Sequence, residues 1–150
     1  MINSQNVKYV NCIPPAAIID NTDATVAAID TLGFGFVTVL FSLGATDVDA
    51  VAVKLTECAT SGGSYTDISG AAFAGTTGIT RLPQDDDDND LFAIQWKLGG
   101  DGLRYIKPVF TAGNGSLGTY VSAVAILDQA EIVPYDADTR GLTGMIIGSN

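Results

Sequence analysis

Histidine is absent from the 150 residues. That removes the commonest general base and metal ligand and makes a Ser-His-Asp triad impossible. The two cysteines, Cys12 and Cys58, lack the imidazole partner that thiol catalysis uses. Basic residues are also scarce. Seven Lys and Arg, scattered from Lys8 to Arg140, face 17 Asp and Glu, a net charge of −10. Binding to a nucleic-acid backbone needs clustered cations, so no nucleic-acid partner is expected. Glutamate occurs only as Glu57 and Glu131, and nothing marks them as the opposed pair a glycosidase requires. No GxxxxGK[ST] phosphate loop is present, and LGFGFV (32–37) lacks the strand-to-helix context of such a motif. The longest apolar stretch, Phe34 to Leu43, is broken by Gly35, Thr38 and Ser42, well short of the ~20 residues of a membrane span. The opening MINSQNVKYV has no charged start followed by an apolar core. These absences lead us to expect no enzyme, no cofactor and no membrane partner. They also predict a chain made in a reducing cytoplasm, with Cys12 and Cys58 as buried free thiols.

What is present is apolar and β-patterned. Charged residues make up 16% of the chain, apolar residues 47%, and mean hydropathy is +0.28. The surplus points to burial in a tight β-core and between subunits. Val37, Val39, Phe41 and Leu43 alternate through 36–43; Phe92, Ile94, Trp96 and Leu98 through 91–98; Val121, Ala123, Ala125 and Leu127 through 119–127. Period two puts each set on one strand face. Residues 50–70 read as a hairpin. Val51, Val53 and Leu55 face the core, Lys54 and Thr56 face away, and Ser61-Gly62-Gly63-Ser64 turns the chain through glycine's tolerance of positive φ. Residues 103–111 continue as a strand with Ile106 and Phe110 inward, demoted to an edge or bulged strand by Pro108. A short edge strand at 16–20 and a strand rather than a helical turn at 25–32 complete the pattern. Asn114-Gly115 falls in a hairpin loop, which would set Tyr105 and Tyr120 opposite each other on an outer face. No segment has helical period.

Regular strands of this kind predict an all-β, antiparallel two-sheet β-sandwich, with jelly-roll-like and Ig-like connections both open. The expected layout is an N-terminal arm (1–15, with some strand character), a sandwich domain (16–135) and a C-terminal tail (136–150). Either the tail closes its own sandwich edge or it lies across a neighbour.

Two further features invite a functional reading. The run Asp85, Asp86, Asp87, Asp88, Asn89, Asp90 could gather a Ca²⁺ through its oxygens. It lacks the alternate spacing, the glycine and the closing Glu of a calcium loop, so a solvated loop tip is the expectation. The second feature is the aromatic set. Tyr9, Tyr65, Tyr105, Tyr120 and Tyr135 could form a sugar platform, whereas Trp96 shares a face with Phe92 and Ile94 and is expected in the core.

Three segments, AIDTLGFGFVTVLFSLGAT (28–46), VAVKLTECATSGGSYTDISGA (51–71) and GLRYIKPVFTAGNG (102–115), resemble a group of small tailed-phage proteins. The likeness runs through Ile29, Asp30, Gly33 and Phe34, then Lys54, Leu55 and Glu57, then Tyr65, Asp67, Ile68, Gly70 and Ala71, and finally Arg104, Tyr105, Ile106 and Lys107. It spans residues 26 to 128, and the acidic run and the apolar tail are departures from it. The resemblance implies a capsid decoration, or cement, protein. Such a protein is a β-sandwich, often trimeric, that binds the major capsid protein on the outside of the virion head and bridges capsomers. Subunit or capsid contacts are then expected from Ile2, Val7, Tyr9, Met145, Ile146 and Ile147. A virion-displayed carbohydrate-binding or adhesive sandwich is the alternative, with a tail-tube or head–tail connector component as a third possibility.

Overall fold

The computed structural model describes residues 6–132, 134 and 136–146. Eight strands follow in order: β1 (Lys8–Ile13), β2 (Ile29–Asp30), β3 (Phe36–Thr46), β4 (Ala50–Cys58), β5 (Thr66–Ala72), β6 (Leu91–Lys97), β7 (Tyr105–Ala112) and β8 (Thr119–Asp128). No α-helix occurs among the described residues. The strands form two four-stranded sheets of order β1-β8-β3-β6 and β2-β7-β4-β5, with every pairing antiparallel. Folding the chain at the β4–β5 turn brings β1 to β8, β2 to β7, β3 to β6 and β4 to β5. All four of those pairs are hydrogen-bonded, and they alternate between the sheets. This is the rolled ribbon of a jelly roll, which decides between the two connection patterns left open by the sequence.

The core forms where the sequence alternates. Val37, Val39 and Phe41 have no exposed area and Leu43 has 3%; opposite them lie Leu55 (0%), Ile106 (1%) and Phe110 (1%). Phe41 of one sheet meets Phe110 of the other with ring centroids 6.3 Å apart. Val121, Ala123, Ala125 and Leu127 are buried as expected, and Trp96 packs against the core. Cys12 and Cys58 are buried free thiols.

Several expectations fail for identifiable reasons. Val51 is 64% exposed rather than inward, because the β4–β7 register slips between Ala50 and Ala52 and Ala50 takes the buried place. Thr56 is buried and donates through Oγ1 to the Lys107 carbonyl at 3.0 Å. The hairpin at 58–66 exists, but Gly62 and Gly63 keep negative φ. Gly63 is needed for space, since a Cβ there would press on the Cys58 thiol and the Thr60 hydroxyl. Pro108 lies in an interior strand. Its missing donor points toward β2, like the main-chain groups of Phe110 and Ala112, which bond Ala24 and Thr22 there. Opposite Pro108, residues 25–28 form no strand, so no ladder bond is lost. The strand expected at 25–32 contracts to Ile29–Asp30, and the one at 16–20 to a single bridge from Ile19 to Thr119. β7 and β8 belong to different sheets, so Asn114-Gly115 lies in a crossover and Tyr105 and Tyr120 are not paired.

Residues 8–13 of the expected arm form a strand of the sandwich. β1 pairs with β8 from Lys8 to Ile13, with Cys12 and Ile13 in the core. The tail closes its own edge: the Tyr9 N–H donates to the Arg140 carbonyl at 2.7 Å. Gly141, at φ +71, lies so close to the Tyr9 carbonyl that only glycine fits.

Candidate functional site: two outer faces and a loop end

The two sheets present outer faces of different chemistry. On the β1-β8-β3-β6 sheet the register aligns three rows across the strands. Asn11, Val124, Leu40 and Ala93 form one row, Tyr9, Ile126, Thr38 and Gln95 the next, and Ser122, Ser42 and Leu91 a third. Their strand neighbours are the buried core residues, so these side chains point outward. None carries a charge. Leu91 is 62% exposed, Val124 37%, and Tyr120, beside Gly44 at the end of the face, 50%. Charge returns only at the opposite end, where Phe36 lies between Asp128 and Lys97.

On the β2-β7-β4-β5 sheet the charged side chains are paired with one another. The Arg104 guanidinium holds the Asp30 carboxylate at 2.8 and 2.7 Å and keeps its pKa below the usual carboxylate range. Lys54 Nζ lies 2.7 Å from Asp67. Lys107 Nζ sits 4.5 Å from the centre of the Tyr65 ring, and Ile29 pairs with Ile106. This face is thus a lattice of charge pairs and cation–π contacts across one sheet.

At the loop end beyond β3, β5 and β7 the acids serve as structural fasteners. Asp87, expected in a solvated tip, is buried at 4% exposure. It binds Arg81 through both oxygens and accepts the Gln84 N–H at 2.7 Å. Arg81 holds its pKa below the ordinary value. Asp88 accepts the Thr46 N–H at 2.7 Å, and the Asp85 N–H donates to Asp49. Asp47 accepts N–H groups from Ser116, Leu117 and Gly118, and those of Gly118 and Leu117 chiefly lower its pKa. The five candidate calcium acids therefore do not converge: Asp87 and Asp88 are committed to different partners, and Asp85, Asp86 and Asp90 are exposed. Among the described residues no group of three or more His, Cys, Asp or Glu could hold a metal ion.

The opposite end holds a cavity of about 270 Å³ between the β2–β3 and β6–β7 loops. Its one carboxylate, Glu57, accepts the Leu103 N–H at 2.9 Å, and the Thr31 hydroxyl on the same lining donates to the Arg104 carbonyl at 2.6 Å. The described tyrosines divide between the sheets: Tyr9 and Tyr120 belong to one sheet face, and Tyr65 and Tyr105 lie on the other. Of the expected contact residues, Tyr9 lies on the uncharged face, Val7 is buried at 8% exposure, Met145 accepts from Arg140 Nη1 at 3.2 Å, and Ile146 is 98% exposed. Ile2, Tyr135 and Ile147 lie outside the described residues. The uncharged face was missed by sequence reading because it exists only once register joins residues from four separated strands.

By architecture the chain is a jelly-roll sandwich with one charged and one neutral outer face. No family profile matches the sequence, and no curated protein matches it.

Proposed function

We propose that this chain is a structural virion protein that binds the outside of a tailed-phage head and stabilises the shell by bridging capsomers. The uncharged face of the β1-β8-β3-β6 sheet carries this reading. A chain of net charge −10 that keeps three successive rows of one sheet face free of charge is suited to lie against protein. Its acidic remainder favours solubility and repels other acidic surfaces. Four strands ~4.8 Å apart, over about seven residues at ~3.4 Å each, make a face of about 450 Å². That is roughly half of the ~800 Å² per partner in an interface of standard size. A contact this small suits a molecule bound in many copies to a repeating lattice, where weak contacts add through multivalency. The resemblance of residues 26 to 128 to decoration proteins supports the same reading, and the major capsid protein is then the surface beneath it.

The test is co-sedimentation with expanded heads of the encoding virus that lack this protein. Wild type pellets with the heads. Val124→Asp, which places a charge at the middle of the neutral face without touching the core, remains in the supernatant while its melting temperature is unchanged. Wild-type protein that never pellets, or a Val124→Asp variant that pellets equally well, overturns the proposal.

A further inference from the structure

The four sheet edges are not equally protected. The β1 edge is strapped by residues 136–142 through the Tyr9–Arg140 bond. β2 is two residues long. β5 is bent by a register slip against β4 and by Gly70 at φ +83. β6 is different. It runs seven residues without a bulge against β3 and contains no proline. Asp90 and Leu98 turn their main-chain groups toward β3, so by alternation those of Leu91, Ala93, Gln95 and Lys97 point away from the sheet. All four residues are exposed, and none of their N–H groups has a partner among the described residues. A long, flat, uncovered edge is a template for another strand.

We infer that β6 pairs antiparallel with β6 of a second copy about a two-fold axis, joining the two β1-β8-β3-β6 sheets into one eight-stranded sheet. Three observations favour a second copy over another strand. With the axis at Ile94, Ala93 lies opposite the partner's Gln95 and Leu91 opposite the partner's Lys97, so every outward main-chain group meets one of the same register class. The acidic run immediately precedes β6 and Lys97 ends it, so each Lys97, opposite the partner's Leu91, comes to lie next to the start of the partner's acidic run, while the strand between carries no charge. This is charge complementarity at both ends of the pair, in a molecule whose net charge of −10 opposes self-association elsewhere. Pairing also doubles the neutral face to about 900 Å², which reaches the size of a stable interface. That last consequence rests on the proposed docking function; the dimer itself does not.

Sedimentation equilibrium of the isolated protein tests the dimer without any shell. Wild type is expected as a dimer at tens of micromolar. Ala93→Pro removes one outward donor and no bond to β3, and is expected to be monomeric with an unchanged melting temperature. Lys97→Glu sets acid against acid and weakens association by about tenfold or more, an effect that shrinks as salt is raised. Amide exchange at Ala93 and Gln95 slows with protein concentration in wild type and not in Ala93→Pro. A wild-type monomer at all concentrations, a trimer, or a dimer indifferent to both substitutions overturns the inference. Should Ala93→Pro fold poorly, Lys97→Glu, on an exposed side chain, decides alone.

Discussion

Replacing Asp87 by Asn separates two accounts of the acidic run. If the run is only a solvated block of like charge, Asp87→Asn should act as Asp86→Asn does, within about 0.5 kcal/mol of wild type. The structure requires a difference. The Asp87 side chain is 5% exposed and that of Arg81 26%. Hydrogen bonds to charged groups contribute about 1.5–3 kcal/mol, and breaking a fully buried ion pair costs about 3–5 kcal/mol. Arg81 keeps part of its hydration, and Asn retains one acceptor oxygen, so a loss of about 2 kcal/mol is expected. For a chain of this size that lowers the melting temperature by roughly 4–8 °C. The sign of the pH dependence follows from the depressed carboxylate. Its stabilisation is complete above the unfolded-state value of about 3.9 and is lost as pH falls through the lower folded-state value. Wild type should therefore lose stability in acid more steeply than Asp87→Asn. Urea titrations followed by fluorescence of Trp96, the sole tryptophan, at pH 7 and in steps downward measure both effects. Equal midpoints for Asp86→Asn and Asp87→Asn, with parallel acid limbs, would refute the reasoning.

Three further outcomes are expected. Asp47→Ala leaves three loop N–H groups without their acceptor, so amide exchange at Ser116, Leu117 and Gly118 accelerates while β8 stays protected. Gly141→Ala pushes a methyl against the Tyr9 carbonyl, so the strap lifts and the Tyr9 amide exchanges faster; unchanged exchange would show the strap to be incidental. The Cys12 thiol, fully buried and pushed up to about 11 by that burial, resists a thiol-specific disulfide reagent at pH 8 until urea unfolds the protein. Rapid labelling of native Cys12 would contradict the packing.

Much of the fold was legible because burial on one face writes a period of two. The 37–43, 92–98 and 121–127 sets announce their inward faces directly. Where the ladder slips, the same logic misleads. Val51 keeps the alternation in sequence but not in space, because an extra residue near Ala50 shifts the parity. Tyr105 and Tyr120 show another limit. Period two assigns a residue to a face and is silent about which sheet owns the strand, so adjacency in sequence was mistaken for pairing. Asp87 was hidden among identical neighbours; the available signal was Arg81, a lone cation six residues upstream with Pro83 between. The neutral outer face could not be read locally, since its rows draw on strands more than a hundred residues apart.

The rolled topology has a consequence for synthesis. β8, the last of these eight strands to leave the ribosome, occupies an interior place between β1 and β3. Until residues 119–128 emerge, the first sheet has a slot one strand wide, with Cys12, Val39 and Phe41 bordering it and unsheltered. Closing that slot joins chain regions far apart in sequence, a slow class of folding event. The strands made before β8 must therefore stay unlocked until then, and any product stopped before residue 119 lacks its keystone.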